Sequence, residues 1–262
     1  MHPSAAMQKI IERAYQTFQL YPLPQQFNIC VPCCVSEDDA RALRHTPLRE
    51  LSAKVLQEWN FSAHLSQPNR DEVRYLVPRL LELLAQGECL SITEELNLKR
   101  VGEAHPESWK PEEFAILCDF SRQFICDLLS NEELNELSVW LVMFHFSGLS
   151  LAPLLDTAMA TPGYWATVSL AWLLYTDRPE GKLRNAFVSG ETSGEAIDRQ
   201  INAWLIHSYN VLAERAAQAI EDSPSVPKSE RTIYGIPQHS LVDESLCAMS
   251  DYQFLWSLPA GE

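Results

Sequence analysis

The 262-residue sequence predicts a mainly α protein, a multi-helix orthogonal bundle with a short β hairpin or irregular strap at its C-terminus. Three observations carry that expectation. Apolar residues return at three-to-four spacing along most of the chain, the period of a helix with one buried side. Nine glycines against sixteen prolines suit helices punctuated by proline turns better than a sheet of glycine hairpins. A chain that is 46% hydrophobic and 21% charged can bury a real core, so disorder is not expected.

The elements follow in order. Ile10, Ile11, Ala14, Tyr15 and Phe18 form one stripe, ended by Pro22 and Pro24. Ser36 with Asp39 three residues on reads as the cap of a short acidic-headed helix. Thr46-Pro47 reads as an N-cap followed by proline at the first helical position, with Leu48, Leu51, Val55, Leu56 and Trp59 as the buried face. Asn69 caps the next helix, where Val73, Leu76, Leu80, Leu83 and Leu84 align and Gly87 stops the run. Pro78 inside it should kink or restart the helix. Residues 90–101 are ambiguous. Pro111 opens a long helix with Phe114, Leu117, Cys118, Ser121, Phe124, Ile125 and Leu128 on one side. Asn131 reads as the cap of a helix through Leu134, Leu137, Leu141 and Phe144, ending near Gly148. Further helices are expected near 151–159 and 162–175. The cleanest stripe is the last, from Ile197 through Trp204, Leu205 and Leu212 to Ile220. Residues 223–231 read as a linker, and 232–236 and 252–256 as short strands or a strap.

A domain boundary is expected near Gly102–Pro106, dividing an N-terminal helical unit (1–102) from an acidic-to-apolar unit with the strap (103–262). The N-terminus shows no secretory h-region, and seven cysteines is an odd number in a chain too large to need disulfide staples. A reduced, cytoplasmic protein is the simplest reading. The uncharged runs 137–155 and 157–176 are long enough to span a bilayer. Gly148, Pro153, Pro162 and Gly163 break them, and the flank is acidic rather than basic, so buried core helices are expected instead.

Charge is the strongest functional signal. Thirty-five acids against twenty bases give a formal net charge of −15. From Glu103 to Glu136 there are nine acids and two bases, and the following forty residues carry only Asp156. Such a balance argues against binding a nucleic-acid backbone and in favour of a basic protein partner. Many paired acids stand at helix starts, where they complement the helix dipole. The surplus marks Glu112, Glu113, Asp119, Asp127, Glu132, Glu133 and Glu136 as candidate partner contacts. Trp109 beside them reads equally as an aromatic anchor for the partner or as a core residue at the helix start.

Cys30, Cys33 and Cys34 are the sharpest local motif. Two thiolates separated by two residues can bite one zinc ion, but a structural site needs four ligands, and His45 or Cys89 would have to arrive through folding. A thioredoxin-like redox site would need a preceding strand in a βαβ frame. Packing of small thiols in a proline turn is the simplest reading, and no metal or cofactor is expected. Cys118 and Cys126 read as core filler. The histidines at 2, 45, 64, 105, 145, 207 and 239 are dispersed. No nucleophile elbow, zinc-protease helix, P-loop or dinucleotide fingerprint is present, so no catalytic residue is assigned.

The run from Cys30 through Thr46-Pro47-Leu48-Arg49-Glu50-Leu51 to Val73-Arg74-Tyr75-Leu76-Val77-Pro78-Arg79-Leu80-Leu81 resembles a segment of bacterial proteins of uncharacterised function. In general type the chain resembles toxin-neutralising immunity proteins, being acidic and helical without a catalytic motif. That resemblance implies a non-enzymatic binding protein that occludes a cognate toxin acting on nucleic acid or nucleotides. A zinc-binding or thiol-dependent protein using Cys30, Cys33, Cys34 and His45 is the alternative.

Overall fold

The computed structural model describes residues 3–31, 33–63, 69–188, 193–222, 232–233 and 236–253. The fold is mainly α, with eleven α-helices among the described residues. They are α1 (Ala5–Phe18), α2 (Glu37–His45), α3 (Ala53–Phe61), α4 (Arg70–Ala85), α5 (Lys99–Glu103), α6 (Pro111–Leu129), α7 (Leu137–Phe146), α8 (Ala152–Ala160), α9 (Tyr164–Ala171), α10 (Ser193–Glu221) and α11 (Gln238–Ser250). Among the described residues the one β ladder pairs β1 (Thr232–Ile233) antiparallel with β2 (Ile236–Pro237). The second expected strand is absent in its described part, since Tyr252 lies in the turn after α11; residues 254–256, the expected linker 223–231, His2 and His64 lie outside the described residues. Among the described residues no helix is long and apolar enough to cross a membrane.

Two compact units make up the chain, and neither is contiguous. Unit 1 holds residues 1–124 and 143–149; unit 2 holds 125–142 and 150–262. The division therefore falls inside α6 and α7 rather than at the expected boundary near 102. The reason is visible at Gly102, where a Cβ would stand 1.8 Å from the Phe146 carbonyl oxygen. Backbone approaching that closely makes 102–106 a packed turn of unit 1.

Side-chain caps set most helix starts in unit 1. Ser4, Ser36 and Ser52 accept from the backbone N–H groups of Met7, Asp39 and Val55 at 3.1, 3.1 and 3.3 Å. Asn69 Oδ1 accepts from Asp71 N and Glu72 N. Thr46-Pro47 opens only a 3₁₀ turn, Leu48–Glu50, because Ser52 captures the first orphan donor of the real helix. Leu51, Val55, Leu56 and Trp59 are buried as expected, whereas Leu48 is only half-buried. α4 runs through Pro78 and ends at Gly87, whose φ of 89° suits glycine, with Glu88 N closing on Leu83 O at 3.0 Å.

The core of unit 1 is organised around two buried charges. Glu72 (1% exposed) accepts from Asn28 N at 2.7 Å and from the Trp59 indole N–H. Arg100 (3% exposed) lies 3.7 Å from the same carboxylate and 4.7 Å over the Trp59 ring. Its guanidinium donates to the carbonyls of Asn60, Asn28 and Ser62 at 3.2, 3.2 and 2.5 Å. One network thus joins α3, α4, α5 and the segment leading to Cys30.

In unit 2, α10 packs against α8, α9 and α11, and α11 also covers α9 and the turn after it. Trp204 donates to Asp156 at 2.8 Å, and Arg215 donates to Thr167 Oγ1 at 2.7 Å and to the carbonyls that end α8. α7 begins at Leu137, six residues after Asn131, so Asn131 caps nothing. Asn135 holds the intervening turn: its Nδ2 donates to Leu128 O and Glu133 O at 3.1 Å each, and its N donates to Ser169 Oγ at 3.0 Å.

Glu72→Leu strands the Arg100 charge in the core and is expected to cost about 3–5 kcal/mol in urea unfolding. Glu12→Gln, which breaks an exposed pair with Arg49 (2.7 Å), is expected to cost less than about 1 kcal/mol.

Candidate functional site

The expected acidic surface divides into core and exposed residues. Trp109 is 6% exposed; its indole donates to Ala104 O at 3.1 Å and its ring meets Phe18 edge-on at 5.9 Å. It is a core residue and not an anchor for a partner. Glu113 (1% exposed) accepts from Tyr21 Oη at 2.5 Å and from Lys110 N at 3.2 Å, with Arg74 Nε at 3.4 Å, so it too is removed from any contact surface. Asp119 is taken by the chain's own arginines, Arg122 at 2.5 Å and Arg13. Partial burial pushes the Asp119 carboxyl upward, but the hydrogen bonds from Arg13 and Arg122 outweigh it and hold the group below the usual range. Asp127 is half-buried and has an interaction of its own. Glu112, Glu132, Glu133 and Glu136 are exposed. The last three share the turn that Asn135 pins in unit 2.

The cysteine motif is brought together, and differently from the expectation of free thiols. Cys30 and Cys33 are joined by a disulfide. Cys34 keeps its thiol, half-buried, with its Sγ 3.5 Å from that of Cys33. All three sulfurs lie within 4.8 Å of one another, and this is the one such group of three or more metal-ligand side chains among the described residues. The turn is held on several sides. Cys30 N donates to Ser62 Oγ at 2.8 Å, Cys34 N and Val35 N both donate to Cys30 O at 3.1 Å, and Val35 is fully buried. His45 is outside the group: it ends α2, while the cysteines precede its start, about 12 Å away along the helix. Cys89 is also elsewhere, its thiol facing Ser91 O and Asn97 Oδ1. Beside the turn lies a cavity of about 400 Å³ lined by Phe27, Ile29, Val31, Ala40, Arg41 and Arg44.

Unit 2 holds a site that no motif announced. After α9 the chain makes one π turn, Trp172–Thr176, and then a tight turn in which Glu180 and Gly181 have φ of 56° and 74°. A wide turn of that kind inserts an extra residue and re-aims the side chains after it. Tyr175 donates to Glu244 at 2.8 Å on the wall of a cavity of about 560 Å³ that Leu174, Arg178, Gly181 and Leu241 also line. Arg178 is 2% exposed and donates to Asp198, Gly181 O and Asn202 Oδ1 at 3.1, 2.7 and 2.9 Å. The site's local sequence trace is Pro179-Glu180-Gly181, a turn signal just beyond the end of the apolar run at Thr176.

Asp177, between these features, has a buried Oδ2 without a hydrogen-bond partner. Burial pushes its carboxyl up to about 6; a hydrogen bond with Ser138 works against the shift, and the Glu136 charge adds to it. Among the described residues the histidines form no metal-ligand group, although His239, like Asp177, has a buried side-chain atom, Nδ1, without a hydrogen-bond partner. His105 pairs with Glu107 at 3.1 Å, burial lowers the His145 imidazole, and His45 and His207 are exposed. Burial likewise raises the thiols of Cys118 and Cys89, which makes them weaker nucleophiles.

Because Asp177 titrates near 6 when folded and near 3.8 otherwise, the native state holds an extra proton between those values, and stability falls as pH rises through that window. Asp177→Asn is expected to flatten that fall and to add about 2–3 kcal/mol at pH 7. Urea unfolding of both proteins at pH 4.5 and 7.5 checks it; an equal pH dependence in the two refutes it. Comparison of the whole chain with protein-family models, with curated proteins and with solved structures finds no match.

Proposed function

We propose that this chain is a binding protein that captures a basic protein partner through the carboxylates of the 131–136 turn. The observation that carries the reading is the state of Glu132, Glu133 and Glu136. They are exposed, no ion pair engages them among the described residues, and Asn135 fixes the backbone that presents them. A flexible acidic loop would lose entropy on docking; a pinned one loses less. The net charge of −15 adds a long-range field of the same sign.

The partner class that fits is a protein whose own work requires a basic cleft, such as a toxin domain acting on nucleic acid or nucleotides. Its cleft is built to receive phosphates, and three carboxylates on one turn occupy it sterically while mimicking that charge. Attraction of this kind raises the association rate and selects the partner, while buried apolar contacts set the lifetime of the complex.

The test is affinity capture from the native host, with the captured protein then purified and its binding kinetics measured. Glu132→Lys, Glu133→Lys and Glu136→Lys together are expected to slow association by roughly tenfold or more while the protein stays folded, the Glu136 change alone also shifting the unfolding midpoint because its charge acts on Asp177. Association of the unmodified chain is expected to slow as salt rises from about 0.05 to 0.5 M. A folded triple variant that associates at the original rate removes this turn from the interface.

A further inference from the structure

We propose that Cys30, Cys33 and Cys34 form a redox-gated site for one thiophilic d¹⁰ cation, Zn²⁺ or Cu⁺. The structure holds the closed form, in which two of the three sulfurs are bonded to each other and carry no thiolate charge. A low-molecular-weight thiol opens it: two RSH give RSSR, and their two protons and two electrons convert the disulfide to two cysteine thiols. Binding then releases the thiol protons as the sulfurs bond the cation.

The geometry of the opened site follows from what holds the turn. The backbone bonds at Cys30, the buried Val35 and the Ser36 cap are independent of the disulfide, so they keep the three cysteines on one turn once it is cleaved. The Cys33–Cys34 sulfur separation of 3.5 Å is near the edge of about 3.8 Å that a tetrahedron with metal–sulfur bonds of about 2.3 Å requires. The third sulfur lies within 4.8 Å of both. Of the acids in the first turn of α2, Asp38 and Asp39 are paired with Arg41 at 3.2 Å and Lys54 at 2.7 Å, so Glu37 supplies the negative charge near the turn that favours a bound cation. Three soft sulfurs without His45 fill a trigonal Cu⁺ site or leave a Zn²⁺ ion one exchangeable position.

Oxidation reverses the cycle. The thiolates of Cys30 and Cys33 react with a small disulfide RSSR, forming their mutual bond, releasing two RS⁻ and setting the cation free. Metal retention is thereby tied to the redox state of the surroundings, a property that partner capture through the 131–136 turn does not need.

The experiment uses the full chain. Thiol titration under denaturant is expected to count five free cysteines in the oxidised protein and seven after reduction. Reduced protein, freed of reductant and given Zn²⁺ or Cu⁺ in separate arms, is expected to keep about one equivalent of one of them through gel filtration. Oxidised glutathione should release the metal with the loss of two thiols. Cys30→Ser and Cys33→Ser should each abolish retention, Cys34→Ser should weaken it by roughly tenfold or more, and His45→Ala should leave it unchanged. Should the serine variants fail to fold, a thiolate-to-cobalt charge-transfer band in the reduced wild-type chain gives an independent reading. Absence of both that band and metal retention overturns the site, as does equal retention by a folded Cys30→Ser/Cys33→Ser variant.

Discussion

A buried carboxylate that has to be matched in place is the constraint around which unit 1 is arranged. Glu72 gives up its hydration on folding, a loss of several kcal/mol that only good partners offset. Those partners come from three other parts of the chain: Asn28 N, the Trp59 indole and the Arg100 guanidinium. Arg100 in turn needs the carbonyls of Asn28, Asn60 and Ser62. Because Ser62 Oγ also accepts from Cys30 N, the position of the cysteine turn is fixed by the same network. The thiol cluster is therefore attached to the rigid centre of unit 1 rather than to a free loop. The network fixes geometry more than it adds stability, since a well-packed apolar replacement of the whole set could be as stable.

Unit 2 places its polar groups differently. Its buried Arg178 and half-buried Arg215 are met largely by carbonyls and by neutral side chains, with Asp198 the one carboxylate bonded to Arg178. Burial lowers the pKa of both arginines, but a guanidinium remains charged at any physiological pH. Asp177 has weaker partners and so is the group whose charge yields. Glu136, in the exposed 131–136 turn, is near enough to Asp177 to bias its titration. The acidic turn and the buried acid thus belong to one electrostatic neighbourhood.

Much of the fold was legible in the sequence because local chemistry decides it. Ser36, Asn69, Pro111 and Gly87 act at the helix ends where short-range signals place them, and the stripe from Ile197 to Ile220 is one helix. Misreadings arose where two local signals competed, as Thr46-Pro47 against Ser52, or where a side chain found a distant partner. Asn131 has the right residue type for a cap, yet Asn135 bonds Leu128 and Ser169 and delays α7. α11 carries a weak local signal because its stripe of Val242, Leu246 and Met249 is short and lies between segments that read as a strap. The candidate site was half legible. The cysteines were recognised by spacing, but their disulfide was not expected, and Glu113 and Asp119 looked like free surface because Tyr21, Arg74 and Arg13 lie about a hundred residues or fewer away, beyond any local pattern.

The return of residues 143–149 to unit 1 has a consequence for how the chain matures. Phe144 stacks edge-on against Phe124 at 5.7 Å, and the Phe146 carbonyl fills the space that Gly102 leaves open. Until that short segment has been synthesised, Phe124 lacks its ring contact with Phe144 and Gly102 its close approach to the Phe146 carbonyl. Ribosomes add about 5–20 residues per second, so unit 1 waits on the order of seconds between Phe124 and Leu149.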